Sequence, residues 1–206
     1  MRKIILIPEA SAQFYLKLIE HIKKSAIISN KDFPQIIINS VNAPEIIGFG
    51  DDSVDDYILI EELVIHQVDS IYMICNTIHA YHQKLVEETA NIINIRNLVR
   101  SFLALVDRVT CILGTENTIK SLYSFEGINY MNVDDTIQYH IQNAIMKFNS
   151  KDYSLERILQ KFIYDNQHCF FVCACTEMRD IIIEQMIGVD YLETMDLFID
   201  DIVAKL

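Results

Sequence analysis

Short apolar runs rich in isoleucine and valine alternate along the chain with longer stretches whose apolar residues recur every three or four positions. "KIILI" (3–7) and "QIIINS" (35–40) read as strands, with "AQFYLKLIEHIKK" (12–24) between them as an amphipathic helix. "VDDYILIEELVIHQV" (54–68) predicts a helix, "SIYMIC" (70–75) a strand and "HAYHQKLVEETA" (79–90) a helix. A short "NIINI" segment (91–95) leads into another helix over about 96–106. The order then restarts with strand "VTCILG" (109–114), helix "TENTIKSLYSF" (115–125) and strand "INYMNV" (128–133). Helices near 134–147 and 153–166 precede the strand "HCFFVCAC" (168–175) and the helix "TEMRDIIIEQM" (176–186).

These strands are too apolar to have one solvated face. Alternation of such strands with helices implies an α/β fold, a parallel sheet covered on both sides. The restart near residue 107 implies two such units, with no low-complexity linker between them. The expected architecture is two pseudo-symmetric Rossmann-like lobes packed face to face. Residues 1–104 with a returning helix over 192–206 form the first lobe, and residues 105–191 the second. In such sheets ligands bind beyond the carboxyl ends of the strands.

Two places at those carboxyl ends share one plan. "IYMICNTIHAYHQ" (71–83) and "FFVCACTEMRDII" (170–182) each run from an apolar strand through a cysteine into a helix. Cys75 and Cys175 are the residues at the joints. A thiol at a helix start faces unpaired backbone N–H groups and the positive end of the helix dipole, which lower its pKa from about 8.5. Cysteine is more often a small apolar filler, and that is the reading for Cys111, Cys169 and Cys173 inside strand runs. Two equivalent joints suit one chemistry better: one thiolate takes a proton from carbon and the other thiol delivers one to the opposite face.

Composition narrows the classes. With 51% hydrophobic residues over 206 positions the chain can bury a core, and no apolar run approaches the length of a membrane span. "MRKIILIPEA" breaks after four apolar residues, too short for a secretory signal, so a soluble, cytoplasmic protein is expected. Seventeen Lys and Arg against 29 Asp and Glu give a net charge of −12, the wrong sign for nucleic acid. Five cysteines, an odd number with no C-x-x-C pair, speak against a disulfide framework and a zinc site. "GFGDD" (48–52) is not a phosphate loop, since it follows no strand of the required kind.

"ICNTIHA" (74–80) and "ACTEMRD" (174–180) resemble the two signature motifs of the aspartate/glutamate racemase superfamily. "ILGTENTIKSLY" (112–123) looks like that family's Gly-Thr strand–helix start in the second lobe. The resemblance implies an active site between two lobes and an amino-acid racemase that works without pyridoxal phosphate or metal. It implies a homodimer and a small carboxylate substrate, with Cys75 and Cys175 as the two acid/base residues. Asn76, Thr77 and Thr176 would contact the substrate's carboxylate and amino groups. Glu177, where glutamate racemases would show histidine, points to the aspartate-type or broad-specificity branch. The chain departs from the family in "LIPEASAQ" (6–13), which lacks the usual glycine turn, and at Ala174, where the family generally has glycine.

Ser11, Ser40, Thr115 and Thr118 stand at strand ends or first helical turns and are carried as substrate contacts, though capping alone accounts for each. His79 and Arg179 each follow a joint cysteine by four residues; a structural hydrogen bond and a surface ion pair are their plainer readings. His66, His82 and His140 belong to no motif. No Lys or Arg occurs over 32–83 or 121–146, so no local cation is evident for a second substrate carboxylate. Related cysteine-dependent chemistries (hydantoin racemisation, malonate-type decarboxylation, maleate isomerisation) share the same lobes. A ligand-binding relative without turnover is the alternative from another class.

Overall fold

The computed structural model describes residues 3–7, 11–25, 33–38, 69–76, 79, 91–146, 153–175, 178 and 188–206. The chain separates into two compact units, Met1–Ile95 with Met195–Leu206, and Arg96–Thr194.

In the first unit, β1 (Lys3–Ile7) lies between β2 (Gln35–Ile38) and β3 (Ser70–Met73), all parallel. The register pairs Ile4 with Ile36 and Ile7 with Met73. Every residue of β3 is buried, as a strand covered on both faces requires. Helix α1 (Ser11–Lys24) turns Phe14, Leu18 and Ile22, spaced by four, into the core. Its last turn carries His21, Lys23 and Lys24, which complement the helix dipole.

The second unit has β5 (Phe170–Cys173) between β4 (Thr110–Leu113) and β6 (Tyr191–Glu193), again all parallel. β4 and β5 are buried throughout. Helix α2 (Ile95–Leu103) leads into this unit, and α3 (Glu116–Leu122) follows β4. Helices α4 (Asp135–Met146) and α5 (Tyr153–Asp165) pack together and seal Cys111, Leu113, Phe171 and Cys173 under Ile141, Ile145, Leu159 and Ile163. Helix α6 (Asp196–Ala204) then returns the chain to the first unit, where Phe198 meets the Tyr72 ring edge-on at 5.3 Å.

Among the described residues, two single bridges extend the sheets. Ile71 of β3 pairs in parallel with Ile92, and Thr110 of β4 pairs in parallel with Tyr130. Reading across, the first sheet runs β2, β1, β3, Ile92, and the second runs Tyr130, β4, β5, β6. Numbered by order of appearance among the described residues of its own unit, each is 2-1-3-4. The chain reverses direction across the sheet between its first and third strands, β1 and β3 in one unit and β4 and β5 in the other. That reversal opens the crevice where ligands bind in doubly wound folds.

Two expectations are corrected. "INYMNV" (128–133) is not a strand: only Tyr130 bridges to Thr110, held by N–H to carbonyl contacts of 2.8 and 2.9 Å through Asn129 and Met131. Met131 and Val133 are partly buried by packing against the core, which satisfies the apolar pattern without a ladder. Residues 192 and 193, assigned to the start of the final helix, belong instead to β6. The helix expected over 54–68 and most of those over 79–90 and 176–186 lie outside the described residues.

Candidate functional site

Cys75 follows β3 by two residues and is half-buried; Asn76, next to it, is buried and helical. The N–H of His79 donates to the carbonyl of Cys75 at 3.4 Å, so Cys75 accepts the first turn's bond while standing outside the helix. That is the N-cap position. Cys175 follows β5 by two residues and is buried at the edge of the second unit's core, its carbonyl accepting from the N–H of helical Met178, three residues on, at 3.2 Å. Each cysteine therefore stands where a capping hydroxyl or carboxylate is usual, next to its own sheet's crevice.

The other cysteines are held differently. Burial, with a smaller contribution from neighbouring Cys169, pushes the Cys111 thiol up to about 12. Burial raises Cys169 as well, partly offset by Arg108, and its sulfur rests 3.7 Å from that of Met131. Both thiols are buried in the second unit's core and serve as packing.

Around Cys175 the crevice is closely built. The Ala174 N–H donates to the Leu113 carbonyl at 2.8 Å, extending the β4–β5 ladder by one step. Gly114 then passes so near Ala174 that a Cβ there would lie 3.1 Å from the Ala174 Cβ and 3.2 Å from its carbonyl oxygen. The glycine that follows β4 is thus a close-approach residue for the segment leading into Cys175.

Thr115 is the N-cap of α3: its Oγ1 accepts from the Thr118 N–H at 3.2 Å and donates to the Thr118 Oγ1 at 2.8 Å. Both threonines are buried and spend these groups on each other, the capping role in full. Ser11 is the first residue of α1. Ser40, Thr77, Thr176, Glu177 and Arg179 lie outside the described residues.

His79 is buried with its ring 5.8 Å from that of Phe198. Its Nε2 is 3.2 Å from the Met73 carbonyl, which only accepts, so Nε2 carries the proton. The bond fastens the new helix to the end of β3.

Thr194 escaped the sequence reading. It is buried after β6, and both its N–H (3.3 Å) and its Oγ1 (3.2 Å) donate to the Cys173 carbonyl, pinning β6 to the strand that carries Cys175. Glu193, opposite Cys173 in register, is buried too. Three strand residues are too few for an alternation signal, so nothing in the period marked them. A cavity of about 630 Å³ lies at the opposite end of β4, between Arg100, Arg108 and Phe125, and no candidate residue lines it.

No protein family's sequence profile and no curated protein sequence matches the chain. Solved structures do match. An aspartate racemase from Picrophilus torridus is 19% identical, with a TM-score of 0.77, over 100% of this chain and 94% of that one. An aspartate racemase homologue from Pyrococcus horikoshii is 19% identical with a TM-score of 0.71, over 100% and 99%. A glutamate racemase from Thermus thermophilus, in complex with β-chloro-D-alanine, is 14% identical with a TM-score of 0.65, over 100% and 80%. The chain has the fold of the aspartate and glutamate racemases.

Proposed function

We propose that this protein is a cofactor-independent racemase or epimerase acting at the carbon next to a carboxylate, with an amino acid as substrate. The observation that carries the reading is the twofold occurrence of an N-capping cysteine at the chain reversal of a 2-1-3-4 parallel sheet. The racemase fold agrees with it.

In the proposed reaction one cysteine, as thiolate, removes the α-proton and becomes a thiol. The electron pair left on carbon is delocalised into the adjacent carboxylate. The other cysteine, a thiol, gives its proton to the opposite face and becomes the thiolate, so the enantiomer is released with the two roles exchanged. The mechanism requires one sulfur at each face of the α-carbon. Amides of the two helix starts supply donors for the substrate carboxylate. Asn76, with Thr77 and Thr176, is assigned to the carboxylate and amino groups, and a homodimer in the cytoplasm is the proposed setting.

The test is α-proton exchange in heavy water, followed by NMR over a panel of amino acids. Exchange with loss of optical activity is expected in the parent protein. Cys75→Ala and Cys175→Ala should each abolish racemisation, while the serine variants retain exchange from one side only. Full two-way activity in either alanine variant would overturn the assignment.

A further inference from the structure

The turn between β4 and α3 is fastened from outside by two glutamines of α4. Gln138 Nε2 donates to the Gly114 carbonyl at 3.0 Å, and Gln142 Oε1 accepts from the Glu116 N–H at 3.2 Å. The partners fix both amide orientations, because a carbonyl only accepts and an N–H only donates. The two residues are one helical turn apart, so they lie on the same face of α4. Other groups around the turn bond elsewhere: Leu113 O to the Ala174 N–H, Thr115 O to the Ile119 N–H, and the Thr118 N–H to the Thr115 hydroxyl.

Two of these groups, the Gly114 carbonyl and the Glu116 N–H, have a side chain of another helix as partner, and the carbonyl is the one that belongs to the close-approach glycine. Gly114 is also the residue that touches Ala174, immediately before Cys175. We infer that Gln138 is a positioning residue for Cys175, acting through the Gly114 carbonyl and the Gly114–Ala174 contact; this rests on Cys175 being an acid/base residue. Helix α4 is the strut: without the Gln138 bond the Gly114 peptide is free to rotate, and the Ala174–Cys175 segment packed on it shifts. Acid/base catalysis is sensitive to shifts of this size, since about 1 Å of misplacement costs on the order of a hundredfold in rate.

The inference is tested with Gln138→Met, which loses the donor at similar length, and Gln138→Glu, which keeps the shape but presents an acceptor. Gln142→Glu is the charge control, because a carboxylate still accepts from the Glu116 N–H. Two readouts are taken on the full chain: exchange kinetics, and site-resolved iodoacetamide alkylation of Cys75 and Cys175 against pH by peptide mass spectrometry. In both Gln138 variants kcat is expected to fall about tenfold with KM within about twofold. The alkylation profile of Cys175 should move while that of Cys75 does not, and Gln142→Glu should leave the Cys175 profile in place.

A folded Gln138→Met or Gln138→Glu protein with parental kcat and a parental Cys175 profile overturns the inference. So does a change that Cys75 and Cys175 share in step with a lowered melting temperature, which marks a merely structural role. Failure of the underlying reading is separable: there Cys175→Ala retains racemisation, whatever Gln138 does to alkylation.

Discussion

Gly114→Ala isolates the contact that fits the second sheet's crevice. Gly114 is not among the glycines with positive φ, so its backbone accepts an L side chain and the cost comes from space. The added methyl would sit 3.1 Å from the Ala174 Cβ and 3.2 Å from the Ala174 carbonyl oxygen, both inside ordinary van der Waals contact. Neither is the end of a flexible side chain, so the backbone has to give. Overpacking of this kind costs about 1–3 kcal/mol. Replacing glycine elsewhere gains about 0.4–1 kcal/mol by restricting the unfolded chain, so the two effects oppose each other. Overpacking wins here by about 1–2 kcal/mol, a fall in Tm of about 2–8 °C for a chain of this size.

Differential scanning calorimetry of Gly114→Ala, Ala174→Gly and the double variant checks the argument. Removing the Ala174 Cβ eliminates the nearer contact and leaves the one to the carbonyl, so the double variant should be more stable than the sum of the single changes predicts. A Gly114→Ala protein at least as stable as the parent, or strict additivity in the double variant, would refute the close-approach reasoning.

Thr115→Ala should destabilise by about 0.5–2 kcal/mol through loss of the α3 cap, and Thr115→Ser by much less, as read from urea midpoints. Cys111 gives an alkaline signature. Its thiol is raised from 9.0 to about 12, so the unfolded chain loses this proton first. Its contribution is intact below pH 9 and is lost as pH rises toward 12, at about 1.4 kcal/mol per pH unit. Cys111→Ala should flatten that limb of the stability profile, and identical slopes would disprove the assignment. For specificity, the absence of Lys and Arg over 32–83 and 121–146 predicts poor discrimination for aspartate against serine, alanine, asparagine and glutamate in kcat/KM. A strong aspartate preference that survives Arg179→Ala would sink that argument.

The central strands and the two cysteine joints were legible because they depend on local pattern. "SIYM", "TCIL" and "FFVC" are buried on both faces, and continuous apolar runs are how such strands appear in a sequence. Features that depend on a distant partner were not. Nothing near residue 191 marks Tyr191–Glu193 as a strand; its identity comes from the ladder to Phe171–Cys173. Residues 128–133 carry strand-like alternation, yet the chain reaches them through Gly127 at φ 84° and touches β4 at one residue only. The role of Gly114 needed Ala174, 60 positions on, to be seen. The glutamines of α4 look like ordinary helix-surface residues until their amides meet the Gly114–Glu116 turn.

The return of α6 sets a timetable for synthesis. The unit carrying Cys75 needs Phe198 against the rings of Tyr72 and His79, and the Asp201 carboxylate 2.8 Å from the Tyr72 hydroxyl. Those partners leave the ribosome only after all of Arg96–Thr194 has been made. The second unit is continuous in the chain and can close as soon as it emerges, while the first waits with part of its core uncovered. Vectorial synthesis thus makes the earlier half of the chain the later to mature, and the environment of Cys75 is completed by residues more than a hundred positions downstream.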